Sequence, residues 1–237
     1  MKSTRLAILL LFILTVAITS CSDDNSPGGS SNNNGGGTNT GGCAGGPTTV
    51  TDIDGNVYNV VSIGNQCWMK ENLKTTHYKN GAIIPQWNFS TITGACCDYN
   101  DFPPNANVYG KLYNGYAVND SRNICPVGFR IPTRADFNTL NSFLGTNAGG
   151  KLKEAGLSHW ASPNTGATNS SGFTGLPGGY MGDAGSPSNI TLQGYFWTST
   201  SNGSTNYIRY LRSGDALFTE STAFVLAGGA SVRCIKN

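Results

Sequence analysis

The stretch Asn123-Ile-Cys-Pro-Val-Gly-Phe-Arg-Ile-Pro-Thr-Arg-Ala-Asp-Phe-Asn-Thr-Leu140 constrains this chain more than any other. Cys125 offers a covalent anchor, Gly128 to Ile131 reads as a short strand, and Pro132 stops that strand. Thr133 and Asp136 then have the spacing of a helix N-cap supported by an acidic N3 residue. A helix is predicted to follow, with Phe137, Leu140, Phe143 and Leu144 on one buried face and Gly145 as its left-handed stop.

The N-terminus has a different character. Residues 1–20 carry Lys2 and Arg5 ahead of the uncharged apolar run Leu6 to Ile18, too short to span a bilayer and typical of an export signal. Ile18-Thr19-Ser20-Cys21 resembles a bacterial lipoprotein cleavage site, which makes Cys21 the expected lipidated N-terminus and this lipid the expected membrane attachment. Asp23-Asp24 resembles the acidic tag that sends lipoproteins of the Bacteroidetes type to the outer face of the outer membrane. Residues 21–47 are rich in Gly, Ser and Asn, a composition that cannot bury enough apolar surface to offset chain entropy, and they read as a flexible tether. From 48 to 237 the composition is that of a single folded domain.

Of 15 basic residues, Lys2 and Arg5 leave with the signal, so 13 remain against 13 acidic ones and the mature chain is neutral. With no basic run or basic amphipathic helix, nucleic acid is not an expected partner. Six cysteines remain after Cys21: Cys43, Cys67, Cys96, Cys97, Cys125 and Cys234. In an exported protein disulfides are their expected use. Without a Cys-x-x-Cys, and with only His77 and His159 as imidazole ligands, neither a metal nor a cofactor is expected.

Within the domain, Val50 to Ile53 and Val57 to Ile63 flank Asp54-Gly55 as a hairpin. Asp52 and Asp54 fit that turn better than a calcium loop, whose closing Glu is lacking. Asp98, Asn100 and Asp101 cluster three oxygen-bearing side chains, fewer than calcium wants. Tyr109 to Val118 has apolar residues at helical intervals and is expected to form a first short helix. The segment between Gly145 and Phe196 reads as a long loop region, with a turn of helix at Lys151 to Ala155 and with Trp160, Phe173, Leu176 and Tyr180 as core pegs. Short strands are expected at Tyr195–Ser199, Tyr207–Leu211, Ala216–Phe218, Ala223–Leu226 and Ser231–Ile235.

Seven motifs in order carry a resemblance: Asp52-Ile-Asp-Gly-Asn-Val-Tyr58, Ile63-Gly-Asn-Gln-Cys-Trp-Met-Lys-Glu-Asn-Leu73, Tyr109-Gly-Lys-Leu-Tyr-Asn114, Cys125-Pro-Val-Gly-Phe-Arg-Ile-Pro-Thr133, Gly172-Phe-Thr-Gly-Leu-Pro-Gly-Gly179, Gly194-Tyr-Phe-Trp-Thr-Ser199 and Ser231-Val-Arg-Cys234. Over 48–237 the chain resembles the Fibrobacter succinogenes major paralogous domain, which looks like a member of the C-type lectin-like and formylglycine-generating-enzyme fold group. The resemblance implies an α+β, C-type lectin-like fold with two helices, a small twisted antiparallel sheet and a long-loop region that carries ligands. The motifs holding Cys125 and Cys234 flank the same core, so these two are expected to be bonded. Cys43, Cys67, Cys96 and Cys97 leave three pairings open, with Cys43 favoured to join Cys67 or one of the adjacent pair.

The functional expectation is a surface lipoprotein that binds an extracellular glycan or protein in adhesion or recognition. Tyr207, Arg209, Tyr210, Arg212, Phe218, Phe224 and Leu226, between the framework residues Trp197 and Ser231, are the candidate binding residues because aromatics and arginines concentrate interface energy. The rival classes are a fimbria-like structural subunit and a formylglycine-generating-type enzyme. No hydrolase motif such as Gly-x-Ser-x-Gly stands near a strand-helix turn, and the chain is not expected to be an enzyme.

Overall fold

The computed structural model describes Cys43, Gly46, residues 48–89 and residues 92–237. The expected signal, the lipidation at Cys21 and most of the tether lie outside the described residues.

The Asn123–Leu140 stretch folds largely as its residues dictate. Helix α3, Arg134–Leu144, starts at a complete capping box: Asp136 N donates to Thr133 Oγ1 and Thr133 N donates back to Asp136 Oδ2 at 2.7 Å. Arg130 then grips the same carboxylate from the preceding strand, Nη1 and Nη2 donating at 2.6 and 2.9 Å. Gly145, at φ 65°, ends the helix. Phe137 and Leu140 are buried and Leu144 packs beside them, but Phe143 is 62 % exposed and lies over Gly64. Each residue advances about 100°, which turns position 143 roughly 60° beyond Leu140 and out of the core.

Thirteen strands form two sheets among the described residues. The first sheet contains β1 (Thr49–Thr51), β2 (Val57–Ile63), β3 (Gln66–Met69), β6 (Phe129–Arg130) and β13 (Ile235–Lys236), in the order β1-β2-β3-β13-β6. The second has eight strands: β4 (Cys96–Cys97), β5 (Leu112–Asn114), β7 (Gly178–Met181), β8 (Pro187–Ile190), β9 (Gln193–Asn202), β10 (Thr205–Arg212), β11 (Thr219–Val225) and β12 (Gly229–Ala230). Their order is β11-β10-β9-β7-β12-β5-β4, with β8 on β7. Besides α3 there are, among the described residues, three short α-helices: α1 (Pro103–Tyr109), α2 (Gly115–Val118) and α4 (Ala148–Leu152).

This corrects the expected two-helix, lectin-like α+β architecture with one small antiparallel sheet: the protein is mostly β, its larger sheet has eight strands, and β7 pairs with β9 in parallel. The physical reason lies in short strands. Segments of two to four residues show no period-2 pattern, and β4, β5, β7 and β12 come from stretches that read as loop or helix. Tyr109–Val118 is the sharpest case. Gly110, at φ 78°, stops α1, Leu112–Asn114 pairs with β4 and β12, and Asn114 Oδ1 then caps α2 by accepting from Ala117 N at 2.9 Å. Ala216–Phe218 is likewise no strand; the strand is Thr219–Val225.

Strands with both faces buried tie the sheets together. Trp68 enters a core with Phe137, Phe173 and Phe196, while its neighbour Met69 enters another with Tyr58, Tyr113 and Trp197. Phe196 and Trp197 divide between the same two cores, as adjacent strand residues must. At the centre lies Arg233, fully buried. Its Nε and Nη2 donate to Asn72 Oδ1 at 3.0 and 2.6 Å, Nη1 donates to Phe173 O, and the guanidinium stands 4.3 Å over the Phe173 ring. Burial pushes this guanidinium down to about 9. The segment after Gly145 is pinned similarly: Lys153 Nζ, buried, donates to the carbonyls of Thr165, Arg212 and Asp215 at 2.9, 2.9 and 2.8 Å.

Among the described residues two disulfides close the frame. Cys125–Cys234 joins the stretch before β6 to the stretch before β13, its Cα atoms 5.9 Å apart, and Cys43–Cys67 pins Cys43 to β3, its Cα atoms 5.4 Å apart. Cys96 and Cys97 remain thiols, contrary to the expectation that all six bond. As consecutive residues of β4 they point to opposite faces, Cys96 into the core around Tyr113 and Cys97 among Trp87, Leu112 and Met181.

Candidate functional site

Strand alternation divides the seven binding candidates. On β10, Tyr207, Arg209 and Leu211 face α3, whereas Ile208, Tyr210 and Arg212 face the other way. On the helix side, Arg209 is 8 % exposed and donates to Phe218 O at 3.1 Å and to Asn138 Oδ1, with Glu220 Oε2 at 3.2 Å. Phe218 is a core residue, 5.5 Å from the Phe137 ring. Tyr207 lies under the Arg134 guanidinium at 4.3 Å, and Arg134 pairs with Glu220 at 2.7 Å. Leu226 belongs to neither side: its carbonyl accepts from Gly115 N at 2.7 Å, and its side chain covers Gly115, where a Cβ would sit 2.7 Å from Leu226 Cδ2.

The opposite face gathers Tyr210, Arg212 and Phe224 with two residues read from the sequence as a core peg and a plain strand residue, Tyr180 and Tyr195. Tyr195 is directly opposite Tyr210, and the two rings stack at 5.4 Å. Tyr180 meets Tyr195 from β7 at 5.0 Å. This neighbour relation depends on the parallel contact Gly179↔Gly194. Gly179 has φ 66° and a Cβ there would sit 2.4 Å from Ser188 O; a Cβ on Gly194 would sit 2.4 Å from Leu176 O. Only glycine permits both approaches. Phe224 leans in from β11, 6.0 Å from Tyr195, and seals the row against Trp197 at 5.0 Å.

All three tyrosines are half-buried, so each ring presents part of its surface to solvent. Burial raises the Tyr195 phenol above its ordinary value, against the influence of Asn189, and its hydroxyl donates to Gln193 Oε1. Asn189 Nδ2 donates to the same oxygen at 3.2 Å, and among the described residues Gln193 Nε2 finds no partner. Arg212 lies 5.5 Å from the Tyr210 ring, with its Nε 2.8 Å from Asp215 Oδ2. The Arg212–Asp215 turn is the one whose carbonyls Lys153 holds. The arrangement is an aromatic row with a tyrosine on each of three adjacent strands, rimmed by amides and the Arg212–Asp215 ion pair.

Other clusters are internally satisfied. Asp52 accepts from Asp54 N, Asn56 N and Tyr58 OH at 2.9, 2.9 and 2.6 Å, which is hairpin-turn chemistry. Burial alone would raise Asp54, but hydrogen bonds from Thr76, Thr75 and His77 bring it down to about 2. Asp98 is paired with Lys111 at 2.6 Å, and among the described residues no group of three acidic, His or Cys side chains gathers to hold a metal. A surface pocket of about 290 Å³ beside β6 contains Asp120 and Arg130, already paired with Arg122 and Asp136. No helix among the described residues is long and apolar enough to cross a membrane.

No curated protein and no solved structure matches the chain. The motif residues that meet inside the molecule, Asn72, Phe173 and Arg233, all fall within the span that one family model covers. That model, the Fibrobacter succinogenes major domain, matches residues 61–236, and the chain belongs to this family.

Proposed function

We propose that the protein is a lipid-anchored surface module that binds an extracellular ligand, in adhesion or recognition, through the Tyr180–Tyr195–Tyr210 face. The observation that carries this reading is the partly exposed row itself. Tyrosine rings already fixed by their neighbours lose little side-chain freedom on binding, and they combine apolar area with a polar tip. The apolar leader ending at Cys21 and the Gly/Ser/Asn tether support an address outside the membrane.

The formylglycine-generating alternative needs an accessible, activated thiol. Burial instead pushes Cys96 up to about 11 and Cys97 up to about 12, which favours inert structural thiols. A fimbria-like subunit would call for an exposed donor or acceptor strand in assembly, and the tether composition is a poor strand former.

The test uses the full-length chain on whole cells. Cells producing the wild type are expected to incorporate radiolabelled palmitate into the chain, to lose the domain to external protease, and to bind spots on a combined glycan and protein array. Cys21→Ala should abolish the labelling, and Tyr180→Ala combined with Tyr210→Ala should abolish the array signal without changing the amount on the surface. Equal palmitate labelling in Cys21→Ala would refute the anchor, and an unchanged array signal in the tyrosine variant would refute the face.

A further inference from the structure

Resting on the reading of this face as a binding site, we propose that its ligand is a neutral saccharide chain lying across β7, β9 and β10 on the Tyr180–Tyr195–Tyr210 row. A pyranose ring has an apolar face of C–H groups and an equator of hydroxyls, so it needs an aromatic surface with hydrogen-bonding groups at the edge. The row supplies both: rings at 5.0 and 5.4 Å from one another, and at their margin the Gln193 amide, whose Nε2 has no partner among the described residues.

Charge narrows the class. The cation at the row, Arg212, already has a carboxylate beside it, Asp215 Oδ2 lying 2.8 Å from its Nε. An acidic polysaccharide or a phosphorylated ligand would need an unpaired cation, and a basic peptide an unpaired carboxylate. Phe224 on β11 continues the row, 6.0 Å from Tyr180 and from Tyr195 and 5.0 Å from Trp197 beneath. The width of the row, one tyrosine on each of three adjacent strands, suits a chain of sugars better than a single one.

The experiment titrates the full-length chain in mild detergent with laminarin, xyloglucan and yeast mannan as neutral probes and polygalacturonate as the acidic one. At least one neutral probe is expected to bind, with little dependence on salt because no charge is engaged. Tyr180→Ala and Tyr210→Ala, at the ends of the row, should each weaken it by about tenfold or more. Tyr210→Leu, which keeps bulk without an aromatic face, should weaken it comparably, and a melting curve for each variant shows that it folds. Binding to polygalacturonate alone would overturn the proposal. If no polysaccharide binds while protein spots on the array depend on Tyr180 and Tyr210, the saccharide class falls and the binding face stands. If a polysaccharide binds equally to wild type and tyrosine variants, or if neither saccharide nor protein binds, both fall.

Discussion

Arg233→Ala should destabilise the domain by about 3–5 kcal/mol, because it empties a fully buried volume and strips the hydrogen bonds from Asn72 and Phe173 at once. In a domain of this size that corresponds to a fall of roughly 10 °C or more in Tm. The loss is this large because the guanidinium joins three parts of the chain distant in sequence: Asn72 after β3, the Phe173–Thr174 carbonyls of the long segment, and the last stretch before β13. Its stacking on Phe173 and Phe196 adds contacts that a lysine cannot replace, so Arg233→Lys should rescue little. Differential scanning calorimetry measures the effect; a loss below about 1 kcal/mol would show that the cluster relaxes around the gap.

Removing the Cys125–Cys234 bond should come next in size. It closes a loop with a sequence separation of 109, for which chain entropy gives an upper value of about 5 kcal/mol, against about 3.5 kcal/mol for the separation of 24 at Cys43–Cys67. The double variant Cys125→Ser with Cys234→Ser is therefore expected to melt well below Cys43→Ser with Cys67→Ser. The long-range bond also holds β13 beside β6, where Ile235 faces Arg130, so its loss frees the chain end from the first sheet. A non-reduced peptide map should link Cys125 only to Cys234, and alkylation after denaturation without reductant should label Cys96 and Cys97. Equal melting of the two double variants, or a labelled Cys125, would contradict the account.

What was legible in the residues was local. The Thr133–Asp136 cap, the Gly145 stop, the Asp54-Gly55 hairpin and the closure through Cys234 all depend on side chains close in sequence or on covalent chemistry. The second sheet was not legible, because Cys96–Cys97, Leu112–Asn114 and Gly229–Ala230 are too short to carry a period and become strands only through distant partners. The make-up of the aromatic face was legible only in part. Tyr210, Arg212 and Phe224 were found through their residue types, but the strand's alternation, visible in Tyr207-Ile-Arg-Tyr-Leu-Arg212, separates them from Tyr207 and Arg209. Tyr180 and Tyr195 were missed because their place in the row depends on the Gly179–Gly194 contact between parallel strands, which nothing in either segment announces.

The central claim, that binding uses the tyrosine face and not the face against α3, is tested most directly by measuring Tm and array binding for Tyr210→Ala, Tyr207→Ala and Phe218→Ala side by side. Tyr210→Ala should weaken binding by about tenfold or more with Tm nearly unchanged, Tyr207→Ala should keep both, and Phe218→Ala should lower Tm while its folded fraction still binds. Loss of binding in Tyr207→Ala with full binding retained in Tyr210→Ala would place the site on the opposite face and contradict the account.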